Sequence, residues 1–212
     1  MAEQHAYDYV IVGAGSAGAT LANRLTEDGE TTVLLLEAGP MDYSVFIHMP
    51  AAFSEPLKGR RYNWAFKTQR EPHMDERVMD QPRGKVVGGS SSINGMAYVR
   101  GNAGDYNGWA ELGGLGGWAY RDCLPYFKKA ETHELGADPY HGDSGPLHVQ
   151  RGACENPLFQ AWIQAGQEAG YAYTPDMNGE RNEGLGPMDR TTKDGVRWST
   201  ANSYLRPAWG RD

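Results

Sequence analysis

Gly13-Ala14-Gly15-Ser16-Ala17-Gly18 fits the pattern G-x-G-x-x-G, and the chemistry open to that pattern is to hold a pyrophosphate. Gly13 permits a tight turn. Gly15 lacks the Cβ that would keep the backbone away from phosphate oxygens, and Gly18 lets a helix pack closely on a strand. The N–H groups near Ser16 and Ala17 then face the anion from the start of that helix. Glu37 lies about 20 residues further on, at the end of a second apolar run, where its carboxylate can accept hydrogen bonds from both hydroxyls of a ribose. A carboxylate there disfavours a 2′-phosphate, which speaks against NADP. With 28 glycines in the chain the spacing alone is weak evidence, and a tight turn with no ligand is the alternative. The motif by itself does not separate FAD from NAD.

A second stretch carries more information. Gly84 to Tyr98 holds the pair Gly88-Gly89, the serines Ser90, Ser91 and Ser92, and the pair Asn94-Gly95, followed by Met96 and Ala97. Such a segment has little side-chain bulk and many backbone donors, so it can lie against a large flat ring and hydrogen-bond the polar edge of that ring. A flexible solvated loop is the competing reading of Gly/Ser richness. The flanking Val86, Val87, Ile93, Met96, Tyr98 and Val99 are apolar and favour burial.

The elements that position these residues follow from the pattern of apolar residues. Tyr7–Val12 is short, β-branched and almost wholly apolar, as a strand buried on both faces should be. Ser16–Asp28 reads as a helix, with Ala17, Leu21 and Leu25 recurring every four residues and Gly29 as its stop. Thr31–Leu36 is a second buried strand. Together they form a β–α–β unit with parallel strands and a right-handed crossover. The stretch from Gly39 to Pro82, broken by prolines, reads as an excursion rather than a second domain. Asp122–Glu131 has the period of a helix, with Asp122 as its cap and Leu124, Phe127 and Ala130 on one face. Gly145–Gln150 reads as a strand. Asn156–Ala169 reads as a helix capped by Asn156, with Pro157 in its first turn and Gly170 at its end.

Length and composition set the bounds. The 212 residues suit one domain or one and a half, and the net charge of −7 with no Lys/Arg block argues against a nucleic-acid partner. The opening residues Met1–Tyr7 are polar and lack the form of a signal peptide. No run approaches ~18 apolar residues, so a membrane span is not expected. Cys123 and Cys154 are too few for a disulfide framework and read as free thiols of a reducing compartment.

The segment Gly84–Tyr98, continued through Arg100-Gly101-Asn102-Ala103 to Asn107, resembles the first signature of the glucose–methanol–choline (GMC) oxidoreductases. Tyr62–Thr68, Asp138–Gly142, Gly184–Met188 and Trp198–Leu205 are similar to family segments in the same order, so the resemblance covers essentially the whole chain. Within the family, Gly59–Trp64, Asp122–Thr132 and Pro187–Thr191 are most similar to the bacterial choline dehydrogenases; aliphatic and aryl alcohol enzymes of the family share most of the pattern.

The resemblance implies an α/β fold: an incomplete parallel-sheet, Rossmann-like FAD-binding portion over residues 1–156, and the start of a substrate-side region over 157–212. It implies an enzyme that oxidises a primary alcohol, choline to its aldehyde, by hydride transfer to flavin N5. The alternatives are another alcohol dehydrogenase or oxidase of the family, acting on aliphatic or aryl alcohols, and a non-catalytic flavin-binding module. The implied cofactor contacts are Gly13, Gly15, Ser16, Ala17 and Gly18 at the pyrophosphate, Glu37 at the adenosine ribose, and Gly88, Gly89, Ser90, Asn94, Gly95, Met96 and Ala97 along the flavin and its linker. Some relatives attach the flavin through a histidine just before the asparagine. Here that position is Ile93, so non-covalent FAD is expected. The family's histidine base lies near the carboxyl terminus of its members, beyond this chain. None of His5, His48, His73, His133, His141 and His148 matches that position, so no catalytic residue is assigned and the chain alone is expected to be inactive. His141 reads as structural. No metal motif is present. The further implied partners are the remainder of the family domain and a membrane quinone as electron acceptor, in a cytoplasmic protein with peripheral membrane contact.

Overall fold

A computed structural model of the chain describes residues 6–112 and 114–211; His5 and the end residues Met1 and Asp212 lie outside the described residues. The chain divides into two compact units, residues 1–96 with 194–212, and residues 97–193. These breaks fall elsewhere than the 156/157 boundary, which divides expected roles.

The first unit is built on the β–α–β start. Strand β1 (Tyr9–Val12) and strand β2 (Val33–Leu36) pair in parallel, with Tyr9 opposite Val33 and Val12 opposite Leu36. Helix α1 (Ser16–Leu25) joins them, shorter than the periodicity suggests. Gly29 turns the chain at φ +74°, a conformation glycine adopts without strain. Ala14, Ala19 and Ala22 pack with Val87, Ala201, Tyr204 and Leu205, and Ile11, Val33 and Leu35 close that core from the sheet. The core therefore occupies one face of the strand pair. The expectation that both strands are buried on both faces is corrected: Val10 is 58% exposed and Val12 84%. The side chains of Val10 and Val12 alternate with that of Ile11, and no layer of this unit's described residues lies against them.

After β2 the chain runs through α2 (Val45–His48) and an antiparallel ribbon of β3 (Phe66–Lys67) and β4 (Asp80–Gln81), then returns as a 3-10 turn at Gly89–Ser92. Ile47, Val86 and Ile93 form a second small core, flanked by Leu57 and Tyr62. The final stretch of the chain contributes a π-helical turn, Ala201–Leu205, packed on α1. The Asn23 amide donates to the Tyr204 carbonyl at 2.7 Å.

The second unit carries a four-stranded sheet in the order β5 (Ala97–Tyr98), β8 (Asp189–Arg190), β7 (Leu147–Arg151), β6 (Glu131–His133). Helix α3 (Ala103–Glu111), absent from the sequence reading, is capped by the Asn102 side chain, which accepts from the Gly104 N–H at 2.8 Å. In α4 (Tyr120–Ala130) the cap is Ala119 and Asp122 lies within the first turn, a correction to its expected capping role. Helix α5 (Pro157–Glu168) is capped by Asn156 and followed by Gly170 at φ +91°, as the sequence indicates. Trp109, Trp118 and Trp162 are each about half exposed, so they are not core residues.

The interior of this second unit is ionic. His141 is 2% exposed; its Nδ1 lies 2.8 Å from Glu131 Oε1 and its Nε2 2.8 Å from Asp176 Oδ2. Glu131 Oε1 also accepts from the Arg100 guanidinium at 2.8 Å and the Gly142 N–H at 3.1 Å. Arg151 donates to Asp189 at 2.5 Å and pairs with Asp176 at 3.2 Å. Burial opposes charge on His141, but the hydrogen bonds to Asp176 and Glu131 outweigh it and its pKa is pushed up to about 9. Burial likewise opposes the Asp189 charge, but His133, Arg151 and Asn178 hold its pKa down at about 2. His133, His141 and Asp189 are close enough to share a metal ion. Asp138, His141 and Asp176 lie equally close, and in both groups a cation would have to compete with the proton that the raised His141 pKa holds at neutral pH.

The raised His141 pKa links stability to pH. The stabilisation is fully present below the unfolded value of 6.5 and is lost as pH rises towards 9. The loss is of the order of 3 kcal/mol for a shift of that size. In urea titrations across that window we expect the wild-type midpoint to fall with rising pH. H141Q should start lower and stay nearly flat. An equally steep fall in the variant would show that other groups carry the dependence.

Candidate functional site

The two glycine-rich turns of the first unit meet. Gly13 leaves β1 at φ +99° and donates its N–H to the Leu36 carbonyl at 2.7 Å, tying the turn to the end of β2. A Cβ on Gly18 would sit 1.9 Å from the Gly13 carbonyl oxygen, so only glycine allows α1 to pack this closely on the turn. No side chain caps α1, and its first turn carries no acid, so the N–H groups at Ser16 and Ala17 are open to an incoming anion. The second turn passes across the first. Gly88 donates to the Ala14 carbonyl at 2.8 Å, and a Cβ on Gly89, at φ +56°, would stand 2.6 Å from the Gly15 Cα.

Around this crossing lies an open cleft of about 640 Å³, lined by Val12, Gly13, Gly15, Ser16, Glu37, Trp64, Gly84, Gly89 and Ser90, among others. Glu37 is fixed at its rim: one carboxylate oxygen accepts the Ala14 N–H at 2.8 Å and the other the Gly39 N–H at 2.9 Å. Each oxygen keeps a further lone pair for an external hydroxyl. A second hollow shares Ser90 with the first and is lined by Phe53, Leu57, Pro82, Arg83, Ile93, Asn94 and Gly95. Of the residues singled out in the sequence, Gly13, Gly15, Ser16, Glu37, Gly89 and Ser90 thus line one cleft, and Ser90, Asn94 and Gly95 the other. Gly18 and Gly88 are buried behind the crossing, and Ala17 is exposed on the first turn of α1. Met96 is buried, at 4% exposure, with φ +62°. Its N–H donates to Asn94 Oδ1 at 3.1 Å, an Asx turn that holds a conformation costing a β-carbon residue about 1 kcal/mol or more. Ala97 opens β5 in the second unit.

Trp64 and Gly84 were not among the candidates. Trp64 is 41% exposed at the cleft, stacked on Phe66 at 6.0 Å and covered by the Lys85 ammonium at 4.9 Å. Trp64 lies just ahead of the two-residue strand β3, in a stretch with no regular structure and so no periodic signal to mark it apart from its neighbours. A Cβ on Gly84 would meet the Gly89 carbonyl carbon at 2.1 Å, which makes Gly84 a packing requirement of the same crossing.

A model of the GMC oxidoreductase family matches residues 7–212. The chain belongs to this family. It is 58% identical to an oxygen-dependent choline dehydrogenase of Pseudomonas syringae pv. tomato, over all of this chain and 38% of that protein. It is 60% identical to the enzyme of the same name from Paraburkholderia phymatum, over 95% of this chain and 36% of the relative. The chain therefore spans a little over a third of the length of these GMC relatives. Among solved structures it is similar to pyridoxine 4-oxidase from Mesorbium loti, with a TM-score of 0.92 and 37% identity over 98% of this chain and 41% of that one. It is also similar to a formate oxidase from Aspergillus oryzae, with a TM-score of 0.82 and 29% identity over 92% of this chain and 36% of the other. GMC oxidoreductases are FAD-dependent flavoproteins, so FAD is the cofactor to which the two clefts are compared.

The residues present fit that cofactor. The cleft has an uncapped helix start for the pyrophosphate, a carboxylate placed for ribose hydroxyls, and glycines where a side chain would block the path. The position before Asn94 is Ile93, aliphatic and 2% exposed.

Gly89→Ala is the most direct test of the crossing. The added Cβ collides with backbone and requires positive φ, so we expect a loss of roughly 2–4 kcal/mol in urea unfolding. A stability within 0.5 kcal/mol or so of wild type would mean that the two turns separate freely.

Proposed function

We propose that this chain is the flavin-holding portion of an FAD-dependent alcohol dehydrogenase whose substrate is choline. The observation that carries the flavin reading is the crossing of the two glycine turns at Gly15 and Gly89 beside Glu37. The choline reading rests on the 58–61% identity to choline dehydrogenases, well above the 26–37% to other solved family members. Bound FAD would supply the hydride acceptor for alcohol oxidation.

The roles of the chain's own residues follow from their geometry. Gly13, Gly15, Ser16, Ala17 and Gly18 hold the pyrophosphate against the start of α1. Glu37 accepts from the adenosine ribose. Gly88, Gly89 and Ser90 form the bridge between the clefts, and Asn94, Gly95, Met96 and Ala97 run along the flavin. With Ile93 before Asn94, the flavin is held without a covalent bond. Residues 1–156 serve the cofactor, and 157–212 begin the substrate side. The remainder of the family domain covers the apolar outer face of β1 and β2 and supplies the base. No helix among the described residues is long and apolar enough to cross a membrane. We place the working enzyme in the cytoplasm at the membrane surface, with the quinone acceptor that the family resemblance implies set against the oxygen that the relatives' names give; assays comparing oxygen with a soluble quinone decide between them.

The first experiment adds FAD to the chain, removes the excess by gel filtration and records the visible spectrum. We expect a retained flavin band that acid precipitation releases to the supernatant. E37A should weaken FAD binding about 10- to 100-fold, the scale of hydrogen bonds to a charged acceptor. A chain that keeps no flavin, or an E37A variant that binds as wild type does, would contradict these assignments.

A further inference from the structure

Among the described residues Arg197 is the largest fully buried side chain, 0% exposed, and no carboxylate pairs with it. A buried guanidinium without an acid is costly unless its donors are used. Here they are spent on the flavin-side loop and its neighbour. Nε donates to the Ile47 carbonyl at 2.7 Å. Nη1 donates to the Ser91 carbonyl at 3.2 Å and to Asn94 Oδ1 at 2.8 Å, while Nη2 finds no acceptor. Burial pushes the guanidinium down to about 10, so it is still a cation at neutral pH.

The consequence lies in the Asn94 amide. Both groups that face it, Arg197 Nη1 and the Met96 N–H, are donors, so only the carbonyl oxygen can satisfy them. The amide NH2 is then turned the other way, on a residue that is exposed and lines the second hollow. Without Arg197 the Met96 N–H alone would hold that orientation.

We propose that Arg197 is a positioning residue that fixes the Asn94 amide with its oxygen inward and its NH2 outward, so that the Asn-Gly turn presents a hydrogen-bond donor to an acceptor edge of the bound cofactor. The inference rests on the flavin reading for its ligand, but not for the orientation itself. Arg197 lies 103 residues from Asn94 in sequence and acts only through it and the adjoining carbonyls.

The test has two arms on the full chain. In the ligand-free protein, NMR hydrogen exchange at the Met96 amide should quicken about tenfold or more in R197M, while Ala19 and Ala22 in α1 exchange as in wild type. R197K, which keeps one charged donor, should fall between the two and covers the case in which R197M does not fold. Unchanged Met96 exchange in the variant that folds overturns the proposal. In the second arm, FAD dissociation constants are read by flavin fluorescence. R197M and N94A should each weaken binding about tenfold, and the double variant no more than the weaker single, because both act through one amide. Additive losses would make Arg197 merely structural and overturn its positioning role. Absence of flavin binding by wild type would sink the flavin reading and with it the cofactor-facing part of the proposal, while the exchange arm still decides whether Arg197 orients Asn94.

Discussion

Two backbones crossing at Gly15 and Gly89 set the limits for everything else in the first unit. A side chain on the second glycine would enter the backbone of the first, and Gly84 and Gly88 stand under the same restriction from their own neighbours. This closeness brings the start of α1, the end of β2 and the serine-rich turn to the rim of one cleft. It also explains why glycine occurs here in clusters: each cluster is one side of a close approach, and the approach needs room on both sides.

The crossing is held from outside as well. The last described stretch of the chain returns to the rest of the first unit and meets it at several points. Tyr204 and Leu205 pack on α1, and Arg197 reaches Ile47, Ser91 and Asn94. Arg206 anchors the same stretch to Asp42, buried at 0% exposure, through a 2.6 Å pair. Contacts this distant in sequence give the glycine turns a fixed frame that local propensity could not supply. They also place an uncompensated cation beneath the serine-rich turn. In the second unit the opposite solution holds, since there each buried cation faces carboxylates.

How much of this was legible in the sequence depends on the range of the interaction. The turn at Gly13–Gly18, the parallel strands and the capped helix at Asn156 are written in neighbouring residues, and they appear where the pattern puts them. Helix α3 was not read because two glycines and mixed polarity blur its period; its signal was the cap Asn102. Asp122 was misread as a cap because an acid in the first turn and an acid at the cap look alike without the backbone angles. Arg197 left no trace, and Trp64 appeared only inside family-like segments with no role of its own. One owes its role to acceptors more than 100 residues away, and the other to a place in an irregular stretch before a very short strand. The exposure of Val10 and Val12 is different again: an apolar run shows that a strand wants cover, not whether this unit supplies it.

That exposure bears on how the cradle persists. A parallel pair of four-residue strands is marginal alone, because parallel sheets are stable when covered on both faces. The core that does cover one face is built largely from alanines, each burying little area. The glycine turns add conformational freedom to the unfolded chain and so raise the entropy lost on folding. On these terms a ligand that binds only the folded cradle becomes part of its stability. At a concentration a hundred times its dissociation constant it would add about 2.7 kcal/mol, comparable to the loss expected for Gly89→Ala. The same residues that leave room for a dinucleotide are those that leave the unit short of packing, so binding and folding of the first unit are thermodynamically linked.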